Sequence, residues 1–218
     1  MTTSDLETRQ VTMPIQMRAA TDENDEPVIE GYALKYNKPS EVLGGFVRFI
    51  EHIAPGALDN TDMSNVVATI NHDQNQVLGR SGVNLTLTPN KTGLKFSVKP
   101  TDTTFARDLI TNIKAGVINQ CSFAFTVADN ENAQDWQDST RDGVDYERTI
   151  RQIDHLYDVS VVTTPAYPDT EATVGQRSMN MVKRMQNNHN KEIVQEKRKK
   201  MLRDFERQTL LDSLKGGD

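Results

Sequence analysis

The sequence has a single cysteine, Cys121, and four scattered histidines, so it offers neither an internal disulfide nor the Cys/His spacing of a zinc site. No run approaches the roughly 18–20 consecutive apolar residues that span a membrane. The start of the chain also lacks the charged and then apolar pattern of a secretory signal. We therefore expect a soluble intracellular protein with no structural metal and no membrane partner.

Apolar residues are scarce as well. The hydrophobic share is 36% and the mean hydropathy is −0.61, whereas a globular domain usually has about 45–50% apolar residues. A chain of 218 residues with this composition suits one domain with solvated appendages. We predict a flexible or partly ordered N-terminal arm over residues 1–27, a folded domain over 28–175 and a basic helical tail over 176–218.

The net charge of −6 is unevenly distributed. Residues 179–218 contain ten Lys/Arg and six Asp/Glu, a charge of +4, and residues 1–178 contain fifteen and twenty-five, a charge of −10. Nucleic-acid binding is therefore not expected of the body, whereas the tail can contact RNA, DNA or an acidic protein surface. The tail is rich in good helix formers, but its apolar positions form only a broken stripe. We expect a helix that needs a partner, or else a solvated basic helix.

Alternating and apolar runs bounded by turn residues predict at least seven strands, among them a hairpin over 85–98. Apolar residues recur at helical spacing over 102–115, with Asp102 as the expected N-cap. The polar stretch 129–145 is typical of a long surface loop. The expected fold class is mainly β with external helices (α+β), arranged as a small antiparallel β-barrel or sandwich.

Candidate catalytic residues follow from the needs of a nucleophile, which requires a base within hydrogen-bond reach. His72 comes just after the apolar run 66–70, so a buried strand would present it at its end. Ser122 lies in a strand-like run of small and apolar residues. Cys121 precedes Ser122, and neighbouring strand residues face opposite sides, so at most one of them can meet His72. His72 and Ser122 are the candidate pair, although each residue alone is also typical of a polar group at a strand end.

The third member of such a site accepts a hydrogen bond from the imidazole and comes from another strand. Asp158 is the best candidate because it interrupts a buried-looking strand, where alternation places Asp158, Ser160 and Val162 on one face. Asp154, near the polar beginning of the same strand, is the alternative. The residues alone leave both choices open.

Six short motifs follow one another along residues 28–175. The ordered set is more specific than any single motif in it. The motifs are Ile29-Glu30-Gly31-Tyr32-Ala33, His52–Leu58, Asn71-His72-Asp73, Leu78-Gly79-Arg80, Cys121-Ser122-Phe123-Ala124-Phe125, and the segment from Asp158 to Pro168. Together they resemble the prohead protease family of tailed bacteriophages, whose fold is similar to that of the herpesvirus assembly protease.

The resemblance implies a serine endopeptidase with Ser122 as nucleophile, His72 as general base and an acidic or histidine third member. The family usually has glutamate at the third position, whereas this chain has Asp158, one methylene shorter. Cys121 stands where the family often has methionine, which favours a packing role for its thiol. Oxyanion donors are expected among backbone N–H groups, either in a turn at Leu78–Arg80 or at the strand end Thr163-Thr164.

The resemblance also implies the substrates and the place of action. These are a scaffolding segment or the N-terminal arm of the major capsid protein, cleaved inside the assembling prohead in the host cytoplasm, and the protease itself. Self-association of the protease is expected, and neither a metal nor an organic cofactor is implied.

Two other functions compete with this one. The chain can be a non-catalytic capsid scaffolding or assembly protein that keeps the protease fold, or an ordinary serine esterase. The presence of both His72 and Ser122 favours catalysis, and the absence of a Gly-x-Ser-x-Gly elbow disfavours the usual esterase architecture.

Overall fold

The structure is a computed structural model and describes residues 6–11, 16–18, 27–45, 47–163 and 176–215. Within these ranges the chain forms strands and helices in this order: β1 (Glu7–Val11), β2 (Gln16–Arg18), β3 (Val28–Lys35), β4 (Phe49–Ile53), β5 (Val67–Ile70), β6 (Asp73–Arg80), β7 (Leu85–Pro89), β8 (Gly93–Val98), α1 (Thr104–Lys114), β9 (Gln120–Val127), β10 (Gln134–Asp138), β11 (Tyr146–Ile150), β12 (Ile153–Val162) and α2 (Gln176–Lys215).

The strands pair in three sheets, with the orders β1-β9-β12-β5-β6, β10-β11-β4 and β2-β3-β8-β7. Most pairs are antiparallel, but β5 pairs with β12 and β4 pairs with β11 in parallel. The chain is thus mainly β, as predicted. The predicted small antiparallel barrel is not confirmed, because the described strands divide among three sheets and none of these closes on itself.

The apolar core collects residues from most of the body's strands and from α1. In β9 and β12 the buried residues Phe123, Phe125, Val159 and Val161 belong to this core, since alternate strand residues share a face. Burying each such side chain contributes about 1.5–3 kcal/mol. The intervening residues of both strands are therefore left for the opposite face of the sheet, where polar groups can meet.

Helix α1 begins one residue later than the sequence pattern predicts. Thr103 is its N-cap, and the Thr103 side chain accepts a hydrogen bond from the Ala106 amide at 3.3 Å. Asp102, the predicted cap, instead pairs with Arg107. A threonine cap of this kind typically contributes about 1 kcal/mol to helix stability.

The sequence predicts a long surface loop over 129–145, but the structure places strand β10 within this stretch. Trp136 of β10 is buried, and its ring centroid lies 5.0 Å from that of Phe49. The Trp136 indole N–H donates to Gln134 at 3.0 Å. Pairing with β11 and burial of one aromatic ring make this polar segment a strand.

The chain divides into two compact units, Met1–Gly175 and Gln176–Asp218. The second unit contains the 40-residue helix α2, on which Val194, Met201 and Leu202 are exposed. In the described part of the chain, no helix is both long and apolar enough to cross a membrane.

Candidate active site

The register of the five-stranded sheet brings polar side chains from three strands together. Ser122 of β9 lies opposite Ser160 of β12, and Ser160 lies opposite Thr69 of β5. Asp158 is two residues before Ser160, so it shares the same face of the sheet. All four side chains are buried, and the Thr69 and Ser160 hydroxyls are hydrogen-bonded to each other. The polar row therefore has partners within the sheet.

His72 is placed above this row by a two-residue turn. Ile70 at the end of β5 pairs with Asp73 at the start of β6, so Asn71 and His72 alone connect the strands. Their φ angles are +51° and +59°, as in a type I′ turn, where Asn is favoured first and Gly second. A histidine in the left-handed region costs roughly 1–2 kcal/mol, so the surrounding contacts must hold the turn.

Backbone amides make three of the hydrogen bonds that attach this turn to the end of β12. The Asn71 amide donates to the Val161 carbonyl at 2.9 Å, and the His72 amide donates to Ser160 Oγ at 3.0 Å. The Thr163 amide donates to Asn71 Oδ1 at 3.0 Å. The main chain of His72 is therefore fixed relative to the strand that carries Asp158.

The imidazole of His72 lies between a hydroxyl and a carboxylate. Its Nε2 is 2.7 Å from Ser122 Oγ, and its Nδ1 is 2.8 Å from Asp158 Oδ1. Asp158 is 5% exposed, and its Oδ1 also accepts from Ser160 Oγ at 3.4 Å. With Nδ1–H donating to the carboxylate, Nε2 is the nitrogen that can accept the hydroxyl proton.

The alternative candidates lie elsewhere. Asp154 accepts from the neighbouring His155 Nδ1 at 2.8 Å. The Cys121 thiol points to the other side of β9 and donates to the Tyr32 carbonyl at 2.9 Å. Burial raises the pKa of this thiol from its ordinary value of 9.0 to about 12. Cys121 is thus a neutral core residue at physiological pH.

The segments expected to supply oxyanion donors are used differently. Leu78–Arg80 forms the end of β6 rather than a turn, and the Arg80 amide donates to Asn84 Oδ1 at 3.0 Å. The Thr163 amide is bonded to Asn71, and Thr164 lies outside the described residues.

Strand β1 covers the hydroxyl of Ser122. It is the edge strand of the five-stranded sheet and runs antiparallel to β9, with Gln10 opposite Ser122. Ser122 Oγ donates to the Arg9 carbonyl at 2.8 Å, and Ser122 is 0% exposed. The hydroxyl has one hydrogen, so this bond uses the hydrogen that His72 would otherwise receive.

A buried cluster of four charged residues, Glu7, Arg9, Glu51 and Arg148, attaches β1 to the second sheet. Arg9 Nε and Nη2 each lie 2.8 Å from a different oxygen of Glu51, and Arg148 binds both oxygens of Glu7. Arg148 Nη1 also donates to Glu51 at 2.8 Å. The four charges sum to zero, and Glu51 and Glu7 raise the pKa of Arg9 against the effect of its burial. Each charge therefore has partners of opposite sign.

The sequence pattern did not identify this four-residue cluster, and it placed Ser160 on the same strand face as Asp158 without giving Ser160 a part in the site. One signal was available: alternation in β11 places Arg148 on the same side as Tyr146 and Ile150, which are both buried. A charged residue on a buried face needs partners of opposite charge. Its partner Glu7 lies in the polar segment that was predicted to be an arm, so spacing alone could not point to it.

Carboxylate, imidazole and hydroxyl in hydrogen-bonded order form the arrangement of a serine hydrolase. Among the residues that the structure describes, no three His, Cys, Asp or Glu side chains gather where they could hold a metal ion. The hydrogen-bonded order of the three groups is that of sites in which an imidazole activates a hydroxyl.

The sequence profile of the caudovirus prohead serine protease family matches residues 13–185. The chain belongs to this family and is a serine endopeptidase of phage capsid maturation. Among solved structures it is similar to the bacteriophage T4 capsid assembly protease, gp21, with 12% identity and a TM-score of 0.44, over 74% of this chain and 98% of that one. No curated protein matches the chain in sequence.

Proposed function

We propose that Ser122, His72 and Asp158 are the catalytic triad with which this endopeptidase cleaves a scaffolding segment or the N-terminal arm of the major capsid protein inside the immature capsid. The observation that carries the proposal is the continuous chain from Asp158 Oδ1 through the His72 ring to Ser122 Oγ, with separations of 2.8 and 2.7 Å. Both separations are within the range that proton transfer requires.

The proposed reaction has two stages. In the first, Ser122 Oγ bonds to the peptide carbonyl carbon while its proton passes to His72 Nε2. The carbon–nitrogen bond then breaks, and that proton goes to the leaving amine. In the second stage, water gives a proton to His72 and its oxygen bonds to the acyl carbon. The Ser122 oxygen then leaves with that proton. Asp158 orients the ring and stabilises the imidazolium.

We also propose that the protease cleaves itself within β1. The support is that the Arg9 carbonyl lies at the Ser122 hydroxyl while β1 covers the site. In this state an external chain cannot reach Ser122, which is 0% exposed. For this cut the hydroxyl hydrogen first turns from the Arg9 carbonyl to His72 Nε2, which is 2.7 Å from Ser122 Oγ, and the departure of β1 then opens the site.

The basic helix α2 is proposed as an assembly element rather than part of the catalytic body. It forms a compact unit of its own, and its exposed apolar residues Val194, Met201 and Leu202 suit contact with another chain, either a second copy or a scaffold helix. Its charge is also suited to an acidic partner or to nucleic acid. We place this assembly step in the host cytoplasm, before the capsid shell closes.

The test is co-expression with the major capsid protein of the same phage, followed by mass spectrometry of every fragment. The wild-type chain should yield Ser122-dependent fragments of the capsid protein and of itself, while Ser122→Ala and His72→Ala should leave both proteins intact. Ser139→Ala, which changes a half-buried serine just after β10, is the matched control and should process normally.

The outcomes separate the competing functions. Normal processing by Ser122→Ala would overturn the catalytic assignment. A wild-type chain that enters particles without cutting anything, and that no serine-directed fluorophosphonate labels, would establish the scaffolding function instead.

A further inference from the structure

Strand β1 lies on the candidate active site in the manner of an extended substrate. It adds to the free edge of β9 with antiparallel pairing, which is how many sheet edges bind extended peptides. The carbonyl at Ser122 Oγ belongs to Arg9. The peptide bond presented to the nucleophile is therefore the one between Arg9 and Gln10, with Arg9 as the residue before it and Glu7 two positions earlier.

The side chains of Glu7 and Arg9 share one face of β1 because they are two residues apart. Each makes a two-point contact with a residue of opposite charge from the second sheet. Arg9 meets both oxygens of Glu51, at 2.8 Å each, and Glu7 meets the guanidinium of Arg148. Paired contacts of this geometry discriminate by direction as well as by charge.

The receiving pair is held in place by contacts that do not involve β1. Glu51 and Arg148 lie directly opposite each other in the β4–β11 ladder, and Arg148 Nη1 donates to Glu51 at 2.8 Å. The Arg148 Nε donates to Gln134 at 2.9 Å, and its guanidinium lies 5.2 Å from the centre of the Trp136 ring. The same two side chains would therefore remain oriented when another segment replaces β1.

We propose that Glu51 and Arg148 form a specificity site that selects arginine immediately before the cleaved bond and glutamate two residues earlier, so that this protease cuts after Glu-x-Arg. This inference rests on the proposed function. A segment with the two charges exchanged would place glutamate against Glu51 and arginine against Arg148, and like charges at a buried contact exclude a ligand strongly.

The sequence contains this pattern at two places. Of all its arginines, only Arg9 and Arg198 have an acidic residue two positions before them, and in both cases it is glutamate, Glu7 and Glu196. Glu196 and Arg198 lie in α2, where both residues are exposed. An exposed helix without a continuous apolar face can open locally at small cost, so the tail should be a second site of cleavage, after Arg198.

The tail offers a test in which the protease is the unchanged wild-type chain and only its substrate is altered. The Ser122→Ala chain serves as an inactive substrate for the wild-type protease, and it carries either Glu196→Gln or Glu192→Gln. Both glutamates are exposed in the same helix, but only Glu196 precedes an arginine by two positions. We expect cleavage after Arg198 to fall about 100-fold with Glu196→Gln, as for loss of one partner of a buried charge pair, and to stay unchanged with Glu192→Gln.

A peptide assay tests the same site without any change to the protein. A peptide with the sequence of residues 4–14 is compared with one in which Glu7 and Arg9 are exchanged, which keeps composition and net charge, and with a Thr8→Ala peptide as control. The wild-type protease should cut the first peptide and the control after Arg9, and the exchanged peptide about 100-fold more slowly.

The results distinguish this inference from the proposed function. Ser122-dependent cleavage at positions without Glu-x-Arg, or equal cleavage of the exchanged peptide, overturns the specificity site and leaves the triad standing. Absence of Ser122-dependent cleavage in any substrate, the capsid protein included, overturns both.

Discussion

Replacing Arg148 by methionine in the Ser122→Ala chain should destabilise the body strongly. Arg148 is 0% exposed and binds Glu7, Glu51 and Gln134. Without it, the buried carboxylates of Glu7 and Glu51 lose one of the positive charges that they contact. Removing one partner of a buried ion pair typically costs about 3–5 kcal/mol, because the remaining charge is left uncompensated. The Ser122→Ala background keeps β1 attached during the measurement.

Urea unfolding followed by tryptophan fluorescence measures this loss directly. Trp136 is the only tryptophan of the chain, and it lies beside Arg148 in the folded body, so the signal reports on this unit. The control is Arg151→Met, which removes an exposed pair with Asp135 at 3.5 Å. Exposed pairs contribute about 0–1 kcal/mol, so this variant should unfold close to the parent.

A second variant separates charge imbalance from lost packing. Combining Arg148→Met with Glu7→Gln leaves Arg9 and Glu51 as a neutral pair, and it should recover a large part of the stability that Arg148→Met loses. The reasoning is refuted if Arg148→Met costs no more than Arg151→Met. It is also refuted if adding Glu7→Gln causes a further loss.

Further outcomes follow from the same contacts. Asp158→Asn should lower kcat by about 10⁴, as when an orienting aspartate loses its charge, whereas Asp154→Asn should change peptide cleavage little. Cys121→Ala should keep its activity, since the thiol faces the core. Burial raises the pKa of Cys121 to about 12 from 9.0, so the thiol of the unfolded chain ionises at lower pH than that of the folded chain. The free energy of unfolding should therefore fall between about pH 9 and 12 in the parent chain, and fall less in Cys121→Ala. Equal pH profiles of the two chains would contradict this. A chain ending at Gly175 should show unchanged thermal unfolding of the body but a lower protease content in particles. If this truncated chain fails to fold, or enters particles at the full-length level, α2 is excluded as the assembly element. Raised salt should release the tail from its binding partner only if charge attraction holds the two together.

Much of the site could be predicted because its residues interrupt local patterns. Asp158 stands in an otherwise apolar strand, and His72 follows directly on a buried one. Alternation then predicts which neighbours share a face, and the structure brings Ser122, His72 and Asp158 together in that way.

The remaining features depend on contacts that are distant in sequence. The polar segment 7–11 becomes a strand because Glu51 and Arg148 neutralise its charges, and no local pattern contains that information. Parallel pairing of β5 with β12, and of β4 with β11, joins segments that are far apart along the chain. The predicted barrel is not confirmed, because the described strands form three sheets and none of these closes on itself.

The attachment of β1 to the body has a consequence for the timing of activity. While the bond after Arg9 is intact, β1 competes for the β9 edge at an effective concentration on the order of millimolar, because it is part of the same molecule. Once that bond is cut, the segment is a separate peptide, and its return depends on its bulk concentration. The buried charges that hold it are only weakly screened by salt, so a change in ionic conditions does not substitute for the cut. The opening of the site would therefore be a single irreversible event in each molecule. The fraction of chains cut after Arg9 would equal the fraction of molecules with an open active site.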